Sequence, residues 1–136
     1  MNRLFDIFPN PRTLPAQSRV YDLKARLDWG EPALTILDVR DRREFNLSHI
    51  RGAVPLPMNE PTHRVLSRLE LDRDIYIYGE TDEETAAIAT QLREAGYKNV
   101  SELRGGLAAW KAVGYPVEAL PLNATLEQNP QDLSDA

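Results

Sequence analysis

Seven residues with chemically useful groups, Gly79-Glu80-Thr81-Asp82-Glu83-Glu84-Thr85, directly follow the apolar run Ile75-Tyr76-Ile77-Tyr78. Beyond them, the spacing of Thr85, Ile88, Ala89 and Leu92 predicts one buried face of a helix that stops at Gly96. Strand, tight loop and helix N-terminus is a frame in which α/β proteins place anion-binding and nucleophilic groups, because loop amides converge there. The contents do not match that frame. The loop carries four carboxylates, Glu80, Asp82, Glu83 and Glu84, no base, and no nucleophile stronger than the hydroxyls of Thr81 and Thr85. An incoming anion would meet four like charges, each a small penalty but all of one sign.

Thr81-Asp82-Glu83-Glu84 fits a capping box, in which Thr81 accepts from the Glu84 N–H and Glu84 reaches back to the Thr81 N–H. Acids in a first helical turn also favour the helix dipole. This helix-starting role is the main reading of the loop. Three alternatives stand beside it: a face for a basic partner, a cation site, and a carboxylate pair for acid–base work. Elsewhere, Asp38 and Arg40 at the end of a predicted strand read as scaffold residues, through loop hydrogen bonds or an ion pair, with catalysis as the alternative, and His49 as a packing residue or a lone base. Arg104-Gly105-Gly106 reads as a close turn.

Composition narrows the chemistry. Zero cysteines exclude disulfides, thiol redox chemistry, cysteine ligands and cysteine nucleophiles within this sequence. Two histidines are too few for a histidine-rich metal cluster, and neither a metal nor another cofactor is expected. A net charge of -5 argues against nucleic acid, whose binders present basic patches. No apolar run is long enough to span a membrane. Asp6, Pro9 and Asn10 interrupt any signal-peptide core, so a cytoplasmic location is expected.

The 136 residues suffice for one domain. Residues 1–17 read as an arm broken by Pro9, Pro11 and Pro15, whose Leu4, Phe5, Ile7 and Phe8 either dock on the domain or bind a partner. Ser18 is expected to cap a helix reaching about Trp29. Strands are predicted at Thr35–Val39, Val54–Leu56, Ile75–Tyr78 and Val100–Leu103, with Pro55 and Pro57 making the second an edge strand or a very short one. Helices are predicted at Arg42–Leu47 behind an Asp41 cap, at His63–Leu69 and at Leu107–Val113. The acidic segment 118–136 reads as a frayed tail, in which the sequon Asn123-Ala124-Thr125 is idle. Strands alternating with helices predict an α/β fold with a largely parallel sheet covered on both faces.

Several stretches together resemble the rhodanese homology family. Leu37-Asp38-Val39-Arg40 with Glu44-Phe45 resembles its "LDVR…EF", and Ser48–Ala53 with Pro57 its "GHIPGA…P". Gly96-Tyr97-Lys98-Asn99-Val100, Leu103, Arg104-Gly105-Gly106 and Ala109-Trp110 resemble its "GYxxV…LxGGxxAW", and Gly114-Tyr115-Pro116 its closing "GxP". The resemblance runs from 18 to 117, the expected domain. It implies a three-layer fold with a central sheet of about five strands and flanking helices. It also aligns Gly79 with the position of the family's nucleophilic cysteine, which makes 79–85 the former active-site loop. Asp38, Arg40, His49, Arg104, Gly105 and Gly106 then become pocket-flanking or structural. The implied function is a non-catalytic, protein-binding or regulatory module, with a basic partner suggested by the loop's charge. The alternative is an enzyme or small-ligand binder using groups other than cysteine.

Overall fold

The computed structural model describes residues 14–30 and 33–120. Most of the predicted arm, including Leu4, Phe5, Ile7 and Phe8, lies outside them, as does the tail from 121 with its sequon. The described chain runs β1 (Gln17–Ser18), α1 (Val20–Asp28), β2 (Leu34–Asp38), α2 (Arg42–Leu47), β3 (His49–Ile50) and β4 (Val54–Pro55). It continues through α3 (His63–Leu66), β5 (Asp74–Tyr78), α4 (Asp82–Glu94), β6 (Asn99–Leu103), α5 (Gly106–Ala112) and β7 (Val117–Glu118).

Five strands form one parallel sheet in the order β1-β6-β5-β2-β4. Buried along its whole length, β5 sits at the centre, and the proline-containing β4 takes an edge, where a missing N–H costs no ladder bond. Alternation of side chains sorts the core onto two faces. Ile75 and Ile77 join Leu37, Val39, Ile88 and Leu92 on the α4 side. Tyr76 and Tyr78 join Ile36, Leu23, Leu103 and Trp110 on the side of α1 and α5. The expected three-layer α/β fold is therefore present. No helix among the described residues is long and apolar enough to cross a membrane.

Several local expectations differ from the structure. Ser18 does not cap α1. It lies in β1, and its buried hydroxyl bonds that of Ser101 on β6, while Arg19 takes the N-cap position. A serine beside a helix start reads as a cap unless its pairing with a distant strand is known. The helix at His63 ends at Leu66 rather than Leu69, and Asp41 precedes α2 without a side-chain cap bond. Pairs as short as β1, β3 and β7 leave no periodic signal, and β3 and β7 form a separate antiparallel ribbon.

The two tryptophans provide an internal control: Trp110 is fully buried, whereas Trp29 is 85% exposed. Trp110→Ala is expected to cost about 3–5 kcal/mol in urea unfolding. Trp29→Ala is expected to stay within about 0.5 kcal/mol of the parent.

Candidate functional site

Parallel strands bring their carboxyl ends to one rim of the sheet. Asp38 of β2 pairs in register with Tyr78 of β5, and the Val39 N–H donates to the Tyr78 carbonyl at 3.0 Å. Residues 38–40, 78–80 and the turn after β6 consequently meet there. Asp38 is wholly buried and receives the Arg40 amide at 3.0 Å, Arg40 Nε at 3.0 Å and Nη2 at 2.7 Å. Nη2 also donates to the Ser48 carbonyl at 2.6 Å. Burial opposes the Arg40 charge, but the hydrogen bonds and field of Asp38 outweigh it and hold its pKa above the ordinary value. The guanidinium lies 5.5 Å over the Tyr78 ring, and the Tyr78 oxygen accepts the Ile50 N–H at 3.0 Å. Burial first, then the Asp38 charge, push the Tyr78 phenol well above its ordinary value.

The loop after β5 is folded in on itself. The Thr85 hydroxyl accepts the Gly79 N–H at 2.7 Å and donates to the Thr81 carbonyl at 2.8 Å. Thr81 caps α4 through the Glu84 N–H at 3.1 Å, but Glu84 does not bond back, so only half of the capping box forms. Asp82 turns away from Glu80, Glu83 and Glu84. Its carboxylate takes the Gly105 N–H at 2.9 Å and pairs with Arg104 at 3.4 Å. Two amides at this rim are thus already occupied by the chain's own oxygens. Among the described residues, no three histidine or acidic side chains are grouped to hold a metal ion.

A cleft of about 510 Å³ opens above, lined by Arg40, Gly79, Glu80, Gly105, Leu107 and Lys111 among others. A second, of about 310 Å³, shares Arg40 and Glu80 and adds Asp41, Glu44 and Glu84. The structure therefore brings together Arg40, Gly79, Glu80, Glu84 and Gly105 from the expected set. Asp38 supports them from beneath, Thr85 from behind, and Arg104 and Asp82 from the side. Gly106 is close-packed, since an added Cβ would come within 3.4 Å of the Gly79 carbonyl. His49 stands apart, stacked on Phe45 with Nδ1 donating to the Phe45 carbonyl at 2.7 Å, a packing role. Lys111 joins the larger cleft unannounced, and Asp41 and Glu44, read in the sequence as a helix cap and as part of the "LDVR…EF" resemblance, line the smaller one.

Residues 20–113, more than half of the chain, match the family profile described as "Rhodanese-like domain". The chain belongs to the rhodanese-like domain family. The domain is 34% identical over 97 residues to a sulfurtransferase of Allochromatium vinosum, covering 71% of this chain and 89% of that one. It is 34% identical over 99 residues to an HTH-type transcriptional regulator of Mycobacterium tuberculosis, covering 71% of this chain and 42% of the regulator. Other curated relatives are also longer: the match covers 48% of an uncharacterized Synechocystis protein and 23% of the probable adenylyltransferase/sulfurtransferase MoeZ of Mycobacterium tuberculosis. The crystal structure of the Alr3790 protein from Anabaena sp. superimposes with a TM-score of 0.73 at 50% identity, covering 82% of this chain and 99% of that one. The rhodanese-like domain thus has sulfurtransferase-related homologues while containing no cysteine itself.

A Cβ at Gly79 would lie 3.1 Å from the Thr85 hydroxyl oxygen and 3.2 Å from a Val39 methyl. Gly79→Ala is therefore expected to cost about 1–3 kcal/mol. Thr85→Ala leaves the Gly79 N–H without its acceptor and costs about 1–3 kcal/mol. Because the added methyl fills space the hydroxyl vacates, the double variant should fall short of the sum by about 0.5 kcal/mol or more. Urea unfolding of all four proteins measures this.

Tyr78 gives a pH signature. An unfolded phenol releases its proton near pH 10, and the folded one only well above that. Its contribution is complete below pH 10 and is lost as pH rises further, because unfolding then releases a proton. Tyr78→Phe should flatten the fall in thermal midpoint between about pH 10 and 11, while lowering stability at neutral pH by about 1–3 kcal/mol through the orphaned Ile50 N–H.

Proposed function

We propose that this rhodanese-like domain is a protein-binding or regulatory module and not a sulfurtransferase. One observation carries the reading: the sequence contains no cysteine. Sulfur transfer needs a group that ionises near neutral pH and then holds a terminal sulfur, and neither glycine nor threonine does so. Gly79 stands at the end of the central strand, where the resemblance aligns the nucleophile, and the hydroxyls of Thr81 and Thr85 are committed to backbone partners. The matched segment of a longer transcriptional regulator is consistent with a domain of this kind working inside regulatory proteins.

The binding face in this reading is the rim formed by the loop after β5, the start of α4 and the residues after β2. Its carboxylates favour a basic partner in the cytoplasm over nucleic acid. A second reading, a small-ligand binder, draws on the 510 Å³ cleft, where the exposed Lys111 has no ion pair among the described residues.

Incubation with thiosulfate and cyanide should yield no thiocyanate above a protein-free blank; turnover that Thr81→Ala abolishes would sink the module reading. Affinity capture from the native cell should retain a partner that Glu80→Lys with Glu83→Lys releases. Both side chains are exposed and make no hydrogen bond, so the cost is confined to the helix dipole, about 1 kcal/mol, and the variant should stay folded in thermal unfolding. Asp82 is left intact because it holds Gly105. A partner set unchanged by this reversal moves the binding face elsewhere.

A further inference from the structure

The guanidinium of Arg40 has one edge left over. Nε and Nη2 are taken by Asp38 and Ser48, and Nη1 has no acceptor, although the side chain is only 8% exposed. No buried side-chain nitrogen or oxygen among the described residues lacks a partner. Nη1 must therefore reach open space, and the space Arg40 borders is the two clefts. That leaves a nearly buried guanidinium, clamped on two sides, with one nitrogen unbonded at the wall the two clefts share.

Which acceptor suits it follows from the charges around it. Asp38 already balances Arg40 at 2.7 Å. Asp41, Glu44, Glu80 and Glu84 line the smaller cleft, and Arg40, the one cation among its lining residues, is already held by Asp38. The larger cleft differs, because Lys111 borders it. An anion on Nη1 would gain one hydrogen bond and meet four carboxylates. A neutral carbonyl meets no such repulsion, and a cation beside it is drawn in. Carbonyl and cation joined by a flexible apolar stem describe one residue of a polypeptide.

We infer that the smaller cleft seats a lysine or arginine side chain of a partner protein, with Arg40 Nη1 donating to a carbonyl of that partner's backbone. This rests on the module reading and names the chemistry of its partner. The cation lies among Glu44, Glu80 and Glu84, and the stem crosses the cleft mouth. Arg40 supplies the directional contact and the carboxylates supply the charge preference, a division usual where polar groups fix register and fields steer encounter.

The test uses three probes against the 15N-labelled full chain, followed by NMR shifts of backbone amides. The first is the peptide Ac-Gly-Gly-Lys-Gly-Gly-NH2, the second its norleucine counterpart, and the third pentylamine, which has the ammonium without the carbonyl. The lysine peptide should shift Arg40, Glu44, Glu80 and Glu84 and bind about tenfold more tightly than the norleucine peptide. Pentylamine should bind about threefold more weakly than the lysine peptide. Glu44→Gln and Glu84→Gln alter exposed carboxylates that make no hydrogen bond; each should weaken the lysine peptide about threefold while the amide spectrum stays that of the folded chain. Equal affinity of the two peptides, shifts centred elsewhere, absence of binding, or pentylamine matching the lysine peptide each overturn the inference. A partner released by Glu80→Lys with Glu83→Lys, combined with no lysine-peptide binding, sinks this inference alone. Thiocyanate turnover instead removes the reading beneath it.

Discussion

One buried ion pair organises the rim of the sheet at which the two clefts open. Asp38 has no exposure to solvent, so its charge is tolerable only because Arg40 satisfies it through three nitrogens. Such a pair need not add net stability, since desolvation offsets much of the attraction, but removing one partner leaves a bare buried charge. Its structural value lies in what it connects. Arg40 reaches Ser48 ahead of β3, and its flat face covers Tyr78, which in turn holds Ile50. The end of β2, the end of β5 and the β3 ribbon are tied by this single guanidinium. Both clefts then inherit their geometry from it.

Above that foundation, the loop after β5 is stabilised by internal contacts. Thr85 binds the Gly79 amide, Thr81 caps the helix, and Asp82 takes the Gly105 amide. Of the three acids left exposed, Glu83 and Glu84 complement the dipole of α4, and with Glu80 they give the rim its sign. Helix stability and surface charge are thus served by the same residues, and neither role requires a catalytic history.

Much of this was legible in the sequence, and the rest was not for identifiable reasons. Ile75–Tyr78 declared a buried central strand because four consecutive large apolar residues ending at glycine admit little else. The spacing of Thr85, Ile88, Ala89 and Leu92 gave the inner face of α4 residue by residue. Pro55 placed β4 at the edge. Ser18 was misleading because a cap is a local signal and its true partner, Ser101, lies 83 residues away. Asp82 likewise reads as one of four equivalent acids until the fold brings Gly105 beside it. Glu44 and Lys111 entered the clefts through topology alone.

The contact between Thr85 and Gly79 also constrains the order in which this chain could change. A side chain gained at 79 first meets the Thr85 oxygen and Val39; a change at 85 first strips the Gly79 amide of its acceptor. Both single steps are expected to lower stability, and the pair relieves only the clash with the hydroxyl, since the Val39 methyl stays in place and the Gly79 amide stays without its acceptor. The two positions are therefore coupled through one hydroxyl: whatever replaces Thr85 must still present an oxygen to the Gly79 amide, and whatever replaces Gly79 must find room beside it.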